Sequence, residues 1–147
     1  MIRYVVDASV AIKWFFQMAD DEDDLDPAAA LLRANQDSEA LFFQPPHFIA
    51  EVAAVLARKK PPDESWADVN DLLDLDLRRV ESTAVYMTAC DLAIRLNHHL
   101  FDTLYHAVAL HTAEAMLITA DQRYFDKAQS VGQIALLSDP GWFVQIK

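Results

Sequence analysis

Four acidic residues, Asp7, Glu51, Asp102 and Asp121, are spaced so that one α/β fold could bring them together. Asp7 and Asp121 each follow a short apolar run, residues 2–6 and 116–119. Glu51 lies in the first turns of an apolar helix, and Asp102 opens another. In an open parallel sheet, strand ends and helix starts converge on the crevice beyond the strands' carboxyl ends. Clustered carboxylates raise one another's pKa, so they resist full ionisation. A hard divalent cation removes that penalty, and Mg²⁺ or Mn²⁺ prefers oxygen ligands and keeps several waters. Such an ion can activate water and stabilise charge developing on phosphorus. Each Asp also has an ordinary use as a helix N-cap, and both readings stay open for Asp7, Asp102 and Asp121. Glu51 sits among Phe48, Ile49, Ala50, Val52, Ala53 and Ala54, which favours a buried, metal-facing role.

The elements that must position these residues alternate. Residues 2–6 read as a strand buried on both faces, as in a parallel sheet. Residues 9–16 read as a helix with Ser9 or Asp7 as N-cap. Helices are predicted over 27–36, 48–60, 63–77, 86–97, 102–114 and 124–129. Further strands are predicted over 41–43, 80–84, 116–119 and 134–136. Phe48, Val52, Val55 and Leu56 form one helical stripe. The acidic run 20–26 reads as a solvated loop, with Asp26 capping the next helix and Pro27 in its first turn. A calcium loop is rejected there, because its glycine and glutamate places hold Leu25 and Leu31. Strand–helix alternation implies a parallel sheet covered by helices on both faces. The 147 residues fit one domain, 1–147.

Composition narrows the class. The formal net charge is −11, which argues against gripping nucleic acid by bulk charge. The four candidate carboxylates and the run 20–26 account for ten acidic charges, so the remaining surface is near neutral. Lys13 and Arg123 are candidate phosphate contacts, with Arg58, Lys59, Lys60, Arg78 and Arg79 behind them; residues 58–60 also suit a helix C-terminus. The only cysteine, Cys90, excludes an internal disulfide and Cys-based zinc, and reads as core. No apolar run has membrane-span length, and no basic-then-apolar leader precedes the first strand, so a soluble cytoplasmic protein is expected. The two glycines, Gly132 and Gly141, form no phosphate-binding loop. His106 and His111 are five apart and share no zinc-binding face, while His98 and His99 read as solvent-facing or dipole-answering groups. Ser9 lacks the glycines of a nucleophile elbow. A phospho-receiver domain fails for want of an acidic pair at the first strand and a Lys after the last.

The four acidic residues lie in the stretches Val5-Val6-Asp7-Ala8-Ser9-Val10, Pro46-His47-Phe48-Ile49-Ala50-Glu51-Val52, Phe101-Asp102-Thr103-Leu104-Tyr105-His106-Ala107 and Leu117-Ile118-Thr119-Ala120-Asp121-Gln122-Arg123-Tyr124-Phe125. In this order the stretches resemble the motifs of PIN-domain ribonucleases, and most closely VapC-type toxins of toxin–antitoxin pairs. The resemblance implies a single PIN-like α/β domain, a mostly parallel sheet of about five strands flanked by helices. It implies Mg²⁺- or Mn²⁺-dependent endonucleolytic cleavage of RNA, with Asp7, Glu51, Asp102 and Asp121 as the catalytic, metal-binding set. Ser9 and Thr119 would support ligands or phosphate by hydrogen bonds. A cognate antitoxin and a homodimer are the implied partners. Leu72, Leu73, Leu75 and Leu77 are available for a dimer face or for inward packing. The alternative is a non-catalytic PIN-like module that binds metal or protein.

Overall fold

The computed structural model describes residues 1–16 and 26–144. Residues 20–25 of the acidic run lie outside them. The chain alternates as expected: β1 (Ile2–Val6), α1 (Ala8–Phe15), α2 (Pro27–Gln36), β2 (Ala40–Gln44), α3 (Phe48–Lys59) and α4 (Pro62–Leu73). Then follow β3 (Leu77–Arg79), α5 (Thr83–Leu96), α6 (Leu100–Leu110), β4 (Ala115–Thr119), α7 (Gln122–Ala128), β5 (Ile134–Leu136) and α8 (Pro140–Val144). The five strands form one all-parallel sheet in the order β3-β2-β1-β4-β5. The strand order reverses beside β1, so the crevice opens at the carboxyl ends of β1 and β4.

Local chemistry explains most boundaries. Tyr4, Val5 and Val6 are fully buried, as a central parallel strand requires. Asp26 caps α2 by accepting from Ala28 N, and Pro27 occupies the first helical position. Phe48, Val52 and Leu56 form the buried stripe of α3, while Val55 is half-buried at its margin. In α6 every residue from Thr103 to Ala109 is buried, because the helix packs on α5 as well as on β1, β2 and β4. Buried His106 spends both ring nitrogens internally: Nδ1 accepts from Tyr124 O–H and Nε2 donates to the Gly132 carbonyl, each at 2.8 Å. Burial lowers its pKa.

Five expectations need correction. The third strand is Leu77–Arg79, not 80–84, and α4 ends at Leu73 rather than 77. This strand is a three-residue sheet edge with Arg78 and Arg79 exposed, so it carries no apolar signature. Ser82 instead caps α5 by accepting from Val85 N, which moves that helix start to Thr83. Helix α6 runs from Leu100 to Leu110, and residue 114 sits in the left-handed region at φ 61°. Cys90 is exposed, because Val85, Ala89 and Leu92 set the buried face of α5 and Cys90 falls outside it. Among the leucines weighed for a dimer face, Leu72 is fully buried and Leu73 is exposed.

Candidate active site

Each acidic side chain is set by a local device. Asp7 follows β1 and caps α1: its Oδ2 accepts from Ser9 N at 3.0 Å and from Ser9 Oγ. Its backbone N–H donates to Ile118 O at 3.0 Å, which holds it at the β1–β4 seam. Ser9 Oγ also accepts from Ala120 N at 3.1 Å, fastening the loop after β4 to α1. Asp121 caps α7, its Oδ1 accepting from Tyr124 N at 3.1 Å. Its own N–H donates to Thr119 Oγ1 at 3.0 Å. Ser9 and buried Thr119 thus spend hydroxyls on arranging the loops that carry Asp7 and Asp121.

Helices α3 and α6 bring the other two. His47, at the start of α3, donates from Nε2 to Phe101 O at 2.8 Å and ties it to the start of α6. Asp102 sits in the first turn of α6 rather than capping it; the N-cap is His99, with no side-chain cap bond. Asp102 Oδ2 accepts from His98 Nε2 at 2.8 Å. Glu51 Oε1 accepts from Tyr105 O–H at 2.6 Å. The Glu51 side chain is 34% exposed, so its apolar sequence neighbours misstate its surroundings. Of those neighbours only Phe48 and Val52 are buried, while Ala50 and Ala54 are exposed on the flanks of Glu51.

The electrostatics record the crowding. Burial, then the charges of Asp102 and Glu51, push the Asp7 carboxyl up to about 7, against the lowering effect of its Ser9 hydrogen bonds. Burial, then Glu51, Asp7 and Asp102, also raise the Tyr105 hydroxyl. Burial, then Asp102 and Asp7, raise the Tyr124 hydroxyl. On the other side, ligand atoms of His98, Asp102 and Asp121 all lie within 4.8 Å of one another. Asp102 therefore belongs to both groups. Each of the four carboxylates gives one oxygen to a protein donor. Among the described residues, the second oxygen of each takes no hydrogen bond. Such hard, half-engaged oxygens at high negative potential fit Mg²⁺ or Mn²⁺.

His98 and Tyr105 escaped the sequence reading. His98 is almost enclosed, not solvent-facing. Its signal was the four-residue spacing to Asp102, hidden because a turn separates the helices. Lys13 and Arg123 are exposed. Lys60 is already engaged, with Asp68 at 2.6 Å. Replacing Tyr105 by Phe keeps its ring against His47 and Phe48 but removes the donor to Glu51. Chemical denaturation should show a loss of about 1 kcal/mol, since Glu51 can rehydrate. A Mn²⁺ titration should show affinity weakened by up to about tenfold, the lower range for lost support of a ligand.

The PIN domain family model matches residues 4–130, and the chain belongs to the PIN domain family. Its fold is similar to that of PAE2754 from Pyrobaculum aerophilum, at 15% identity and TM-score 0.66, over 99% of this chain and 95% of that one. It is similar to a toxin–antitoxin complex from Klebsiella pneumoniae, at 15% identity and TM-score 0.65, over 95% and 99% of the two chains. It is also similar to VapBC2 from Rickettsia felis bound to a DNA fragment from their promoter, at 13% identity and TM-score 0.65, over 92% and 97%. No curated protein sequence matches the chain.

Proposed function

We propose that this PIN domain is a metal-dependent endoribonuclease, the toxin of a toxin–antitoxin pair. The observation that carries this reading is the set of four carboxylates, each with one oxygen fixed and, among the described residues, one without a hydrogen bond. Asp7, Glu51, Asp102 and Asp121 would hold Mg²⁺ or Mn²⁺. When bound, the ion supplies Lewis-acid charge at phosphorus and acidifies water. The protein's own part is preorganisation. Ser9, Tyr105, His98 and the α7 N-terminus hold the carboxylates before substrate arrives, so little reorganisation is left for the reaction. Lys13 and Arg123, both exposed, are proposed phosphate contacts. The likeness to toxin–antitoxin structures supports a cognate antitoxin partner. A homodimer and a cytoplasmic location complete the proposal. Among the described residues no helix is long and apolar enough to cross a membrane.

Incubating the purified chain with end-labelled RNA tests this. Fragments should form with Mg²⁺ or Mn²⁺, disappear in EDTA, and be absent for Asp102→Asn. Expression should arrest growth, and co-expression of the neighbouring gene's product should relieve it. Intact RNA under every metal condition would favour the non-catalytic binding module instead.

A further inference from the structure

We infer that His98 and Lys127 form a positioning pair that orients Asp102, with His98 acting as a hydrogen-bond donor and not as a metal ligand. The inference rests on the proposed metal site and adds two residues that no site motif contains. His98 follows Asn97, whose left-handed conformation at φ 51° ends α5. His98 N–H donates back to Ala93 O at 3.1 Å, which fixes the backbone of this turn. The ring packs against Tyr124 at 4.9 Å between centroids, and its side chain is 8% exposed.

Hydrogen bonding then selects the tautomer. The Lys127 ammonium, from α7, can only donate. It donates to Asn97 O at 2.8 Å and to His98 Nδ1 at 3.2 Å. With Nδ1 accepting, the ring proton sits on Nε2 and is given to Asp102 Oδ2 at 2.8 Å. One oxygen of Asp102 is thereby fixed and the other is left for an ion. For His98 to ligate through Nε2, its proton would have to move to Nδ1. That would set an N–H donor against the Lys127 ammonium and strip Asp102 of its donor. Proximity of His98 to Asp102 and Asp121 is therefore support for the carboxylate, in the manner of an outer-shell partner.

The test uses the full chain and Mn²⁺ alone as probe. Affinity is measured for wild type, His98→Ala, His98→Gln and Lys127→Met, with circular dichroism melts to show that each is folded. His98→Ala should bind about tenfold more weakly. His98→Gln, whose amide can still donate, should bind within a few-fold of wild type, and Lys127→Met should fall between. Electron spin echo spectra of the Mn²⁺-loaded wild type should show no imidazole ¹⁴N coupling. A clear ¹⁴N coupling, equal binding by His98→Ala, or no rescue by His98→Gln would overturn the inference while leaving the metal site standing. A wild type that binds no Mn²⁺ would overturn the metal site and this inference together.

Discussion

Replacing Asp7 by Asn should abolish metal-dependent cleavage and, above pH 7, raise the melting temperature of the metal-free protein. Both effects have one cause. Burial chiefly, aided by Asp102 and Glu51, lifts the Asp7 carboxyl from 3.8 to about 7. The folded state therefore binds the Asp7 proton more tightly than the unfolded chain does. Its contribution to stability is complete below about pH 4 and is lost as pH rises to about 7. Each pKa unit is worth about 1.4 kcal/mol, so the difference is on the order of several kcal/mol. Asn carries no charge, and its carbonyl oxygen can still accept from Ser9. Melts of both proteins in EDTA from pH 4 to 8.5 check this, because their difference isolates Asp7 from other groups. The curves should meet near pH 4 and separate toward pH 8, and Mn²⁺ should close the gap for wild type alone. Loss of this ligand should cost more than the roughly 10–100-fold typical of outer-shell partners. Parallel melting curves across that range would contradict the account.

Replacing Gln44 by Leu should destabilise the fold itself. Gln44 is 2% exposed at the end of β2. The backbone ladder between β1 and β2 pairs Ile2, Arg3 and Tyr4 with Ala40, Leu41 and Phe42. Beyond it, the Gln44 side chain takes over the role of a peptide group. Its Oε1 accepts from Val6 N at 2.7 Å, and its Nε2 donates to Val6 O at 2.8 Å. Val6 is fully buried, so Leu at 44 leaves both groups without partner or water. Each unsatisfied group costs about 1–3 kcal/mol, which sums to several kcal/mol. At about 2–4 °C per kcal/mol the melting temperature should fall by roughly 10 °C. Asp7 is the next residue, so Mn²⁺ affinity should fall as well. A loss below about 1 kcal/mol in denaturant unfolding would show that water or a backbone shift replaces the amide.

The parts of the fold legible in sequence are those where burial and local chemistry agree. Residues 2–6 and 134–136 read correctly as strands, the first because both faces are covered. Asp26-Pro27 marked the start of α2 because capping is local. Leu77–Arg79 was illegible because a short edge strand needs one neighbour and no apolar face. The places of Asp7 and Asp121 just beyond β1 and β4, at the switch point of the sheet, are legible because each follows an apolar run. Both cap a helix through one oxygen, and among the described residues the other takes no hydrogen bond. The roles of His98, Lys127, Tyr105 and Gln44 depend on partners 4, 29, 54 and 38 positions away. Of these only the first spacing is local, and it crosses a turn.

The most direct test is the anomalous difference map of a crystal soaked in Mn²⁺. A peak is expected between Asp7, Glu51, Asp102 and Asp121, bonded to carboxylate oxygens at about 2.1 Å, near the Mg²⁺ distance. A map with no peak there at saturating Mn²⁺, or with its peak elsewhere on the molecule, would contradict the proposed metal site.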